Sequence, residues 1–287
     1  MSTFGYLTGD GTRVRGWCND GTGPDVVVAN GLGAPPESWP TLVSADSGYR
    51  VHTWYYRGSG GSERPLDPAR IRIEDHVGDL LGLLDARGID RAVLVCWSLG
   101  VNVAFAFAEA YPERVAGLLA VAGVPGGSFA AMFGPLRGLP RVRHAAAVSV
   151  ARGLRLAAPA LNLTARTVPV NRATAWAVAH SGFMLPAATP ERLVPTLDEF
   201  RKHDFRWYFT LAVALADHAP MDLSFVRCPT TLVAGRRDIV TSRHAMRRAA
   251  AAIPHARLVE LDGSHFLPIE RPDELTALLA ELVAETR

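Results

Sequence analysis

Residues 92–100 read AVLVCWSLG, an apolar, strand-like run that passes abruptly into a helix-like run from Val101 to Tyr111. Ser98 is therefore expected on a sharp turn between a strand and a helix. A serine hydroxyl is a poor nucleophile at neutral pH. It needs exposure, a nearby base, and backbone N–H groups that stabilise the charge developing on the substrate oxygen. Because such a turn supplies both exposure and N–H groups, Ser98 is the candidate nucleophile.

The residues around Ser98 match the nucleophile-elbow pattern G-x-S-x-G at all but one position. Small residues two places before and after the serine let the strained backbone pass close to its neighbours. Gly100 fits the pattern, whereas Cys96 stands where glycine is usual. Cysteine is small and apolar enough to pack beneath an elbow. Taken alone, these residues are equally typical of a buried serine at a strand end.

An acid and a base follow Ser98 in the order serine, aspartate, histidine. The strand-like run Thr230–Ala234 leads into a loop that carries Asp238, and the run Arg257–Leu261 leads into a turn that carries His265. Both side chains are thus expected at the carboxyl end of a strand. Asp238 is the candidate acid and His265 the candidate base. The alternatives are a helix N-cap for Asp238 and a hydrogen-bonded loop histidine for His265.

Five other histidines are less well placed to act as the base. His52 lies within a strand-like run and His76 within a helix-like run. His244 stands at a helix start, and His203 and His218 fall in the middle of the chain. None of the five follows a strand near the C-terminus.

This order of nucleophile, acid and base resembles the α/β-hydrolase superfamily, in particular its lid-bearing serine esterase and lipase-like branch. The resemblance covers most of the chain outside its middle. After the strand-like run Asp25–Ala29, the loop Asn30-Gly31-Leu32-Gly33 is similar to the family's oxyanion loop, in which His-Gly is commoner than Asn-Gly. The resemblance implies that the backbone N–H groups of Leu32 and Leu99 stabilise the oxyanion.

A further segment, YYRGSGGS at residues 55–62, resembles the family's Asp-x-Arg-Gly-x-Gly-x-Ser stretch. Tyr55 stands in place of the aspartate. We expect Arg57 and the glycines to shape a loop rather than to perform chemistry.

Strand-like and helix-like runs alternate along the chain, which predicts an α/β fold with a mostly parallel sheet and helices on both faces. Residues 1–18 are typical of a short hairpin with a turn at Gly9-Asp10-Gly11. We expect parallel strands near Val26–Ala29, Arg50–Tyr56, Ala92–Cys96, Val115–Ala122, Thr230–Gly235 and Arg257–Leu261, and helices near Ile73–Arg87, Leu99–Tyr111, Arg243–Ile253 and Pro272–Glu285.

One long interruption breaks this alternation. About a hundred residues without a clear strand lie between Gly123 and Thr230, too many for an ordinary connection in a compact domain. We therefore predict a helical lid over residues 125–227, inserted after the sixth strand. Residues 1–124 and 228–287 then form the hydrolase core.

The predicted lid is both basic and apolar. From Gly126 to Pro190 it has seven arginines and no aspartate or glutamate. One interpretation is a basic rim that attracts an anionic substrate or a lipid surface and gives weak surface association. The other, which the composition favours, is that the arginines merely solvate the outer face of an apolar cap. Apolar residues could line a pocket above Ser98, although more of them are expected in the core: Phe129, Met132, Phe133, Trp176, Phe183, Met184, Trp207 and Phe209.

Composition excludes several classes of protein. A chain of 287 residues with 48% hydrophobic content can bury a substantial core, and a formal charge of +2 gives no broad basic field for nucleic acid. Cys18, Cys96 and Cys228 show no paired spacing and no cluster with histidine, so we expect neither disulfides, nor a metal, nor another cofactor. Without a leader-like or membrane-spanning run, we expect a cytoplasmic protein.

The sequence thus predicts a serine hydrolase that cleaves a hydrophobic small-molecule ester or thioester through an acyl-enzyme. C–C bond hydrolysis, lactone opening and acyl transfer use the same three residues and stay open. Serine at position 98 argues against the epoxide-hydrolase and dehalogenase branches, which attack through a carboxylate. A non-catalytic ligand-binding receptor on the same scaffold is the alternative from another class of protein.

Overall fold

The computed structural model describes residues 1–132 and 140–286, whose centre is a single eight-stranded sheet. The strands are β1 (Ser2–Leu7), β2 (Arg13–Cys18), β3 (Asp25–Ala29), β4 (Arg50–Trp54), β5 (Ala92–Trp97), β6 (Val115–Val121), β7 (Thr230–Gly235) and β8 (Arg257–Leu261). Their order across the sheet is β1-β2-β4-β3-β5-β6-β7-β8. β2 runs antiparallel to β1 and β4, and all other neighbours are parallel. The predicted hairpin and the mostly parallel α/β sheet are confirmed.

The described helices cover both faces of this sheet. They are α1 (Ile73–Arg87), α2 (Gly100–Ala110), α3 (Ser128–Ala131), α4 (Pro140–Leu156), α5 (Ala158–Thr167), α6 (Arg172–Ala179), α7 (Pro190–Phe200), α8 (Phe205–Ala216), α9 (Arg243–Ala251), α10 (Leu267–Glu270) and α11 (Pro272–Glu285). α1, α2 and α9 pack on one face, and α11 packs on the other. No helix among the described residues is long and apolar enough to cross a membrane.

The central strand β5 shows why the sheet is buried on both sides. All six of its side chains are buried. Those at even positions pack into the cluster with α1 and α2, and those at odd positions pack into the cluster with α11. Successive side chains of a strand point to opposite faces, so a continuous apolar run suits a strand covered by helices on both faces.

α3 to α8 all lie between β6 and β7, after the sixth strand as expected. We call the described residues 128–132 and 140–216 the helical insertion. Within it α4 packs against α3 and α8, and α6 packs against α7. A small cluster joins Ala175, Met184 and Leu193 of the insertion to Ile269 of α10. Phe133 and Arg137 lie outside the described residues, and the action of the segment 125–227 as a lid stays a prediction.

Candidate active site

Ser98 lies between the end of β5 and the start of α2 with a φ of 55°. Residues with a Cβ rarely adopt this left-handed conformation, which costs them about 1–2 kcal/mol. Two contacts hold the turn in place. The Ser98 N–H donates to the Val121 carbonyl of β6 at 2.9 Å. On the other side, Gly100 passes so close to the end of β3 that a Cβ there would lie 1.9 Å from the carbonyl oxygen of Ala29.

One chain of hydrogen bonds joins Ser98, His265 and Asp238. Ser98 Oγ lies 2.8 Å from His265 Nε2, and His265 Nδ1 lies 2.9 Å from Asp238 Oδ2. The side chains of His265 and Asp238 are only 8% and 1% exposed. An ionised carboxylate can only accept, so Nδ1 carries the hydrogen and Nε2 is left to accept the serine O–H. The structure therefore brings together the three side chains that the sequence singled out.

Asp238 is fixed by its second carboxylate oxygen. Oδ1 accepts the backbone N–H groups of Val240 and Thr241, both at 2.7 Å. These bonds hold the loop before α9, but the N-cap of that helix is Ser242. One carboxylate oxygen of Asp238 therefore binds backbone N–H groups ahead of α9, much as the capping alternative implied. The other oxygen contacts the His265 imidazole.

The turn that carries His265 is held from two directions. The Trp97 indole N–H donates to the His265 carbonyl at 2.9 Å. Buried Glu270 accepts the Ser264 N–H at 2.7 Å and the Ser264 hydroxyl at 2.6 Å. Glu270 also accepts the Leu185 N–H at 2.8 Å, which ties this turn to the helical insertion.

The loop after β3 passes directly beside Ser98. A Cβ on Gly31 would lie 3.4 Å from the Ser98 Cβ, an ordinary van der Waals distance, so this loop runs close to the serine. The backbone N–H groups of Leu32 and Leu99 donate to no acceptor within the described ranges. Leu32, Leu99 and Ser98 line the same cavity, so two unused backbone donors belong to residues near the serine. Their action as an oxyanion hole stays a prediction.

Two departures from the family pattern have structural explanations. Asn30 accepts the Trp39 indole N–H at 2.7 Å, and its amide donates to Thr53 at 3.4 Å, so its side chain is used to anchor the loop. Cys96 is fully buried, and its Sγ lies 3.4 Å from the Leu119 carbonyl. Burial raises the pKa of the Cys96 thiol well above its usual range, which makes it a packing residue rather than a nucleophile.

The segment around Arg57 stabilises a loop, as expected. Its buried guanidinium pairs with Asp79 at 2.7 Å and with Asp10 at 2.6 Å. Burial by itself would raise the pKa of Asp10, but hydrogen bonds from Thr8, Arg57 and Thr12 outweigh it and hold that pKa well below its usual range. None of these groups reaches the serine. Tyr55, which stands where the family has aspartate, has its ring centre 5.7 Å from the Arg15 guanidinium carbon.

A cavity of about 550 Å³ opens above Ser98 and His265. None of the described residues that line it is aspartate, glutamate, lysine or arginine. Of the eight aromatic and methionine residues named as possible pocket residues, five line it: Phe129, Met132, Phe183, Met184 and Phe209. The expectation that more of the eight belong to the core than to the pocket is therefore wrong. Two are placed elsewhere. Trp176 is 58% exposed, and Trp207 donates to the Arg57 carbonyl at 2.7 Å.

His203 connects the helical insertion to the loop after β3. Its Nε2–H donates to the Gly33 carbonyl at 2.8 Å. Burial lowers the pKa of His203, which keeps the imidazole neutral at physiological pH. Gly33 has a φ of 71°, and a Cβ there would lie 2.8 Å from the Tyr208 ring. This contact places a residue of the insertion one residue away from the Leu32 N–H.

The family model described as alpha/beta hydrolase fold matches residues 24–272. This chain belongs to that family. The match begins just before β3 and ends at the start of α11, so it includes every strand that carries a candidate site residue.

Relatives of this chain are named for several kinds of substrate. It is 35% identical over 138 residues to Epoxide hydrolase B of Mycobacterium tuberculosis, which is 42% of this chain and 37% of that protein. It is 36% identical over 133 residues to the 2-hydroxy-6-oxononadienedioate/2-hydroxy-6-oxononatrienedioate hydrolase of Burkholderia vietnamiensis. That match covers 44% of this chain and 46% of that protein. These matches span less than half of either relative.

A solved structure matches over the whole length. The enol-lactonase from Burkholderia xenovorans LB400 has a TM-score of 0.71 and 26% identity, covering 98% of this chain and 100% of that chain. The name of each relative describes that protein, and the family relation alone does not assign a substrate.

Sequence reasoning missed three residues that shape the candidate site. Trp97 and Glu270 hold the His265 turn, and His203 holds the loop after β3. Trp97 and His265 are 168 positions apart, Glu270 and Leu185 are 85 apart, and His203 and Gly33 are 170 apart. No local pattern marks such pairs, because each depends on how distant segments pack.

Proposed function

We propose that this hydrolase cleaves neutral, hydrophobic small-molecule esters or thioesters through Ser98, His265 and Asp238. The observation that carries the proposal is the unbroken chain of hydrogen bonds from Ser98 Oγ to the Asp238 carboxylate at the base of an apolar cavity. A serine at this position also separates the chain from hydrolases that attack epoxides through a carboxylate.

In the proposed mechanism, Ser98 Oγ attacks the acyl carbonyl carbon while His265 Nε2 takes the hydroxyl proton. Asp238 holds the imidazole by its Nδ1–H and stabilises the imidazolium that forms. The proton then passes to the leaving group, and an acyl group stays on Ser98. Water attacks this acyl-enzyme as His265 accepts the second proton, which releases the acid and restores the serine.

We assign the oxyanion hole to the Leu32 and Leu99 N–H groups. Both residues line the cavity together with Ser98, and neither N–H has an acceptor among the described residues. Each donor of this kind stabilises the tetrahedral intermediate, and loss of one costs about 2.7–4 kcal/mol in typical cases.

The cavity supports a neutral acyl group. A volume of about 550 Å³ suits a small molecule rather than a polymer. An ionised carboxylate buried in this cavity would lose its hydration without meeting a described cation, which is strongly unfavourable. A dianionic substrate, such as the one named for the relative from Burkholderia vietnamiensis, is therefore disfavoured here.

We further propose that residues 125–227 act as the lid of this site. Phe129, Met132 and Phe183 all come from this segment and line the cavity above Ser98. The lid supplies the apolar surface against which the substrate is bound, and the core supplies the reacting groups.

The first test is labelling with a fluorophosphonate, followed by intact-protein mass spectrometry and peptide mapping. We expect one stoichiometric adduct on Ser98, no adduct in Ser98→Ala, and unchanged labelling in Ser128→Ala, the matched control from another serine at the same cavity. A panel of p-nitrophenyl esters then compares neutral acyl chains with a succinyl half-ester. An unlabelled wild-type protein that turns over none of the esters would refute catalysis and favour a ligand-binding receptor.

A further inference from the structure

Helix α4 is apolar on the side that faces away from the protein. Val142, Ala146, Ser149, Gly153 and Leu156 follow one another at alternating spacings of four and three residues, and all are exposed. This spacing places them along one face of a helix. We call these five residues the outer stripe. It contains no charged side chain, although the solvent-facing side of a surface helix usually carries charged and polar residues.

The opposite side of α4 is apolar as well. Ala147, Val148 and Ala151 are buried there, where the helix packs against α3 and α8. The outer stripe is therefore not needed for packing within the described chain. Leu156 is 77% exposed, and Leu163 on the next helix α5 is 65% exposed.

Arginines border this surface without acidic partners. Arg141 and Arg152 lie about a quarter turn round α4 from the stripe, and Arg166 lies on α5. All three are exposed, and none forms an ion pair within the described residues. The sequence from Gly126 to Pro190 has seven arginines and no acid. Arg172 pairs with Glu191 just beyond this stretch, whereas Arg141, Arg152 and Arg166 keep their charge without an acidic partner among the described residues.

The mouth of the cavity opens at the same surface. Val150 and Leu154 of α4, together with Phe183, line the cavity and are also exposed to solvent. The cavity above Ser98 is thus continuous with the apolar surface of α4.

We propose that α4 and α5 dock this hydrolase on an anionic lipid surface, with the outer stripe at the acyl boundary and the arginines on the head groups. An apolar helix face bordered by arginines is the pattern that binds such surfaces. A second copy of the chain is a poor occupant, because it would bring two unneutralised arginine clusters together. From composition alone, the favoured interpretation was that the arginines only solvate the outer face of the cap. The exposed outer stripe, which composition does not reveal, reverses that preference.

Vesicle flotation of the full-length protein tests the docking surface. We expect it to float with equimolar phosphatidylcholine and phosphatidylglycerol, far less with phosphatidylcholine alone, and less as salt is raised. Arg141→Gln and Arg152→Gln should each weaken partitioning about fivefold. Leu156→Gln should weaken it about tenfold.

Matched controls distinguish an effect of this surface from a general effect of losing an exposed apolar or charged side chain. Arg248→Gln on α9 and Leu66→Gln in the loop before α1 alter residues that are also exposed, and both should partition like wild type. Ser98→Ala should also partition like wild type, so docking and catalysis are judged separately. A catalytic failure with intact docking would overturn only the proposed function.

Three results would overturn the docking proposal. One is the absence of flotation with anionic vesicles at low salt. Another is an equal loss of flotation in the stripe variants and the controls. The third is a dimer in light scattering that Leu156→Gln dissociates while vesicles do not bind, which would assign the outer stripe to a second copy.

Discussion

The strained turn at Ser98 can be tested by replacing the serine with glycine and with alanine. Both variants lose the hydroxyl and its 2.8 Å hydrogen bond to His265, so the difference between them reports the backbone. At a φ of 55°, a Cβ costs about 1–2 kcal/mol, whereas the freedom of glycine in the unfolded chain costs about 0.5–1 kcal/mol. We expect Ser98→Gly to be more stable than Ser98→Ala by about 0.5–1 kcal/mol.

Calorimetric melting supplies the assay, with Ser149 as the control. The expected difference raises the Tm of Ser98→Gly above that of Ser98→Ala by about 1–4 °C. Ser149 lies at an exposed position inside α4, where glycine costs about 0.8–1 kcal/mol relative to alanine. The order of stability should therefore reverse at Ser149. Both Ser98 variants should lose about 10⁴-fold or more in ester turnover.

One pattern of results would refute this reasoning. If Ser98→Ala is as stable as Ser98→Gly, while the Ser149 pair shows its expected order, the serine is not held in a left-handed turn. The backbone argument for Ser98 as an exposed nucleophile would then fail, whatever the activity of the variants.

Three further predictions concern the groups around the serine. Asp238→Asn should lower kcat about 10⁴-fold with little change in KM, because the amide favours the wrong imidazole tautomer; steady-state kinetics on a labile ester measures this. His203→Leu should lower kcat about fivefold, because the Gly33 carbonyl loses a hydrogen bond worth about 1 kcal/mol, while His203→Gln can still donate and should keep most activity. Asp10→Asn should lower the free energy of unfolding in urea near neutral pH. The folded pKa of Asp10 lies below its unfolded value, so this stabilisation is complete above about pH 5 and is lost as the pH falls below about 4.

Each of these predictions has its own control. Asp217→Asn changes a carboxylate that is 83% exposed and should leave kcat unchanged. If Asp217→Asn lowers kcat more than Asp238→Asn does, Asp238 is not the catalytic acid. If His203→Gln loses as much as His203→Leu, or if the loss appears in KM alone, His203 does not position the oxyanion loop. A difference between wild type and Asp10→Asn that stays constant from pH 6 to about pH 3.5 would contradict the linkage argument.

Local patterns predicted the elements that carry the site. The helices Ile73–Arg87 and Pro272–Glu285 have the bounds expected from the sequence, and the buried strands differ by at most two residues. These elements could be predicted because apolar runs and turn residues indicate the backbone conformation of the few residues around them. The pocket was harder to predict, since composition does not say which aromatic side chains face it. Trp176 and Trp207 were possible pocket residues from composition alone, and both lie elsewhere.

The sequence by itself determined the alternation of strands and helices, the loops that carry Ser98, Asp238 and His265, and the order of those residues along the chain. Only the tertiary structure decided that serine and histidine, 167 positions apart, meet at 2.8 Å. It also decided that His203 reaches the loop after β3, and that the outer stripe of α4 has no partner among the residues the structure describes. The physical reason is that propensity and periodicity act over neighbouring residues, whereas these contacts depend on which strand ends the sheet brings together and which helix faces packing leaves uncovered.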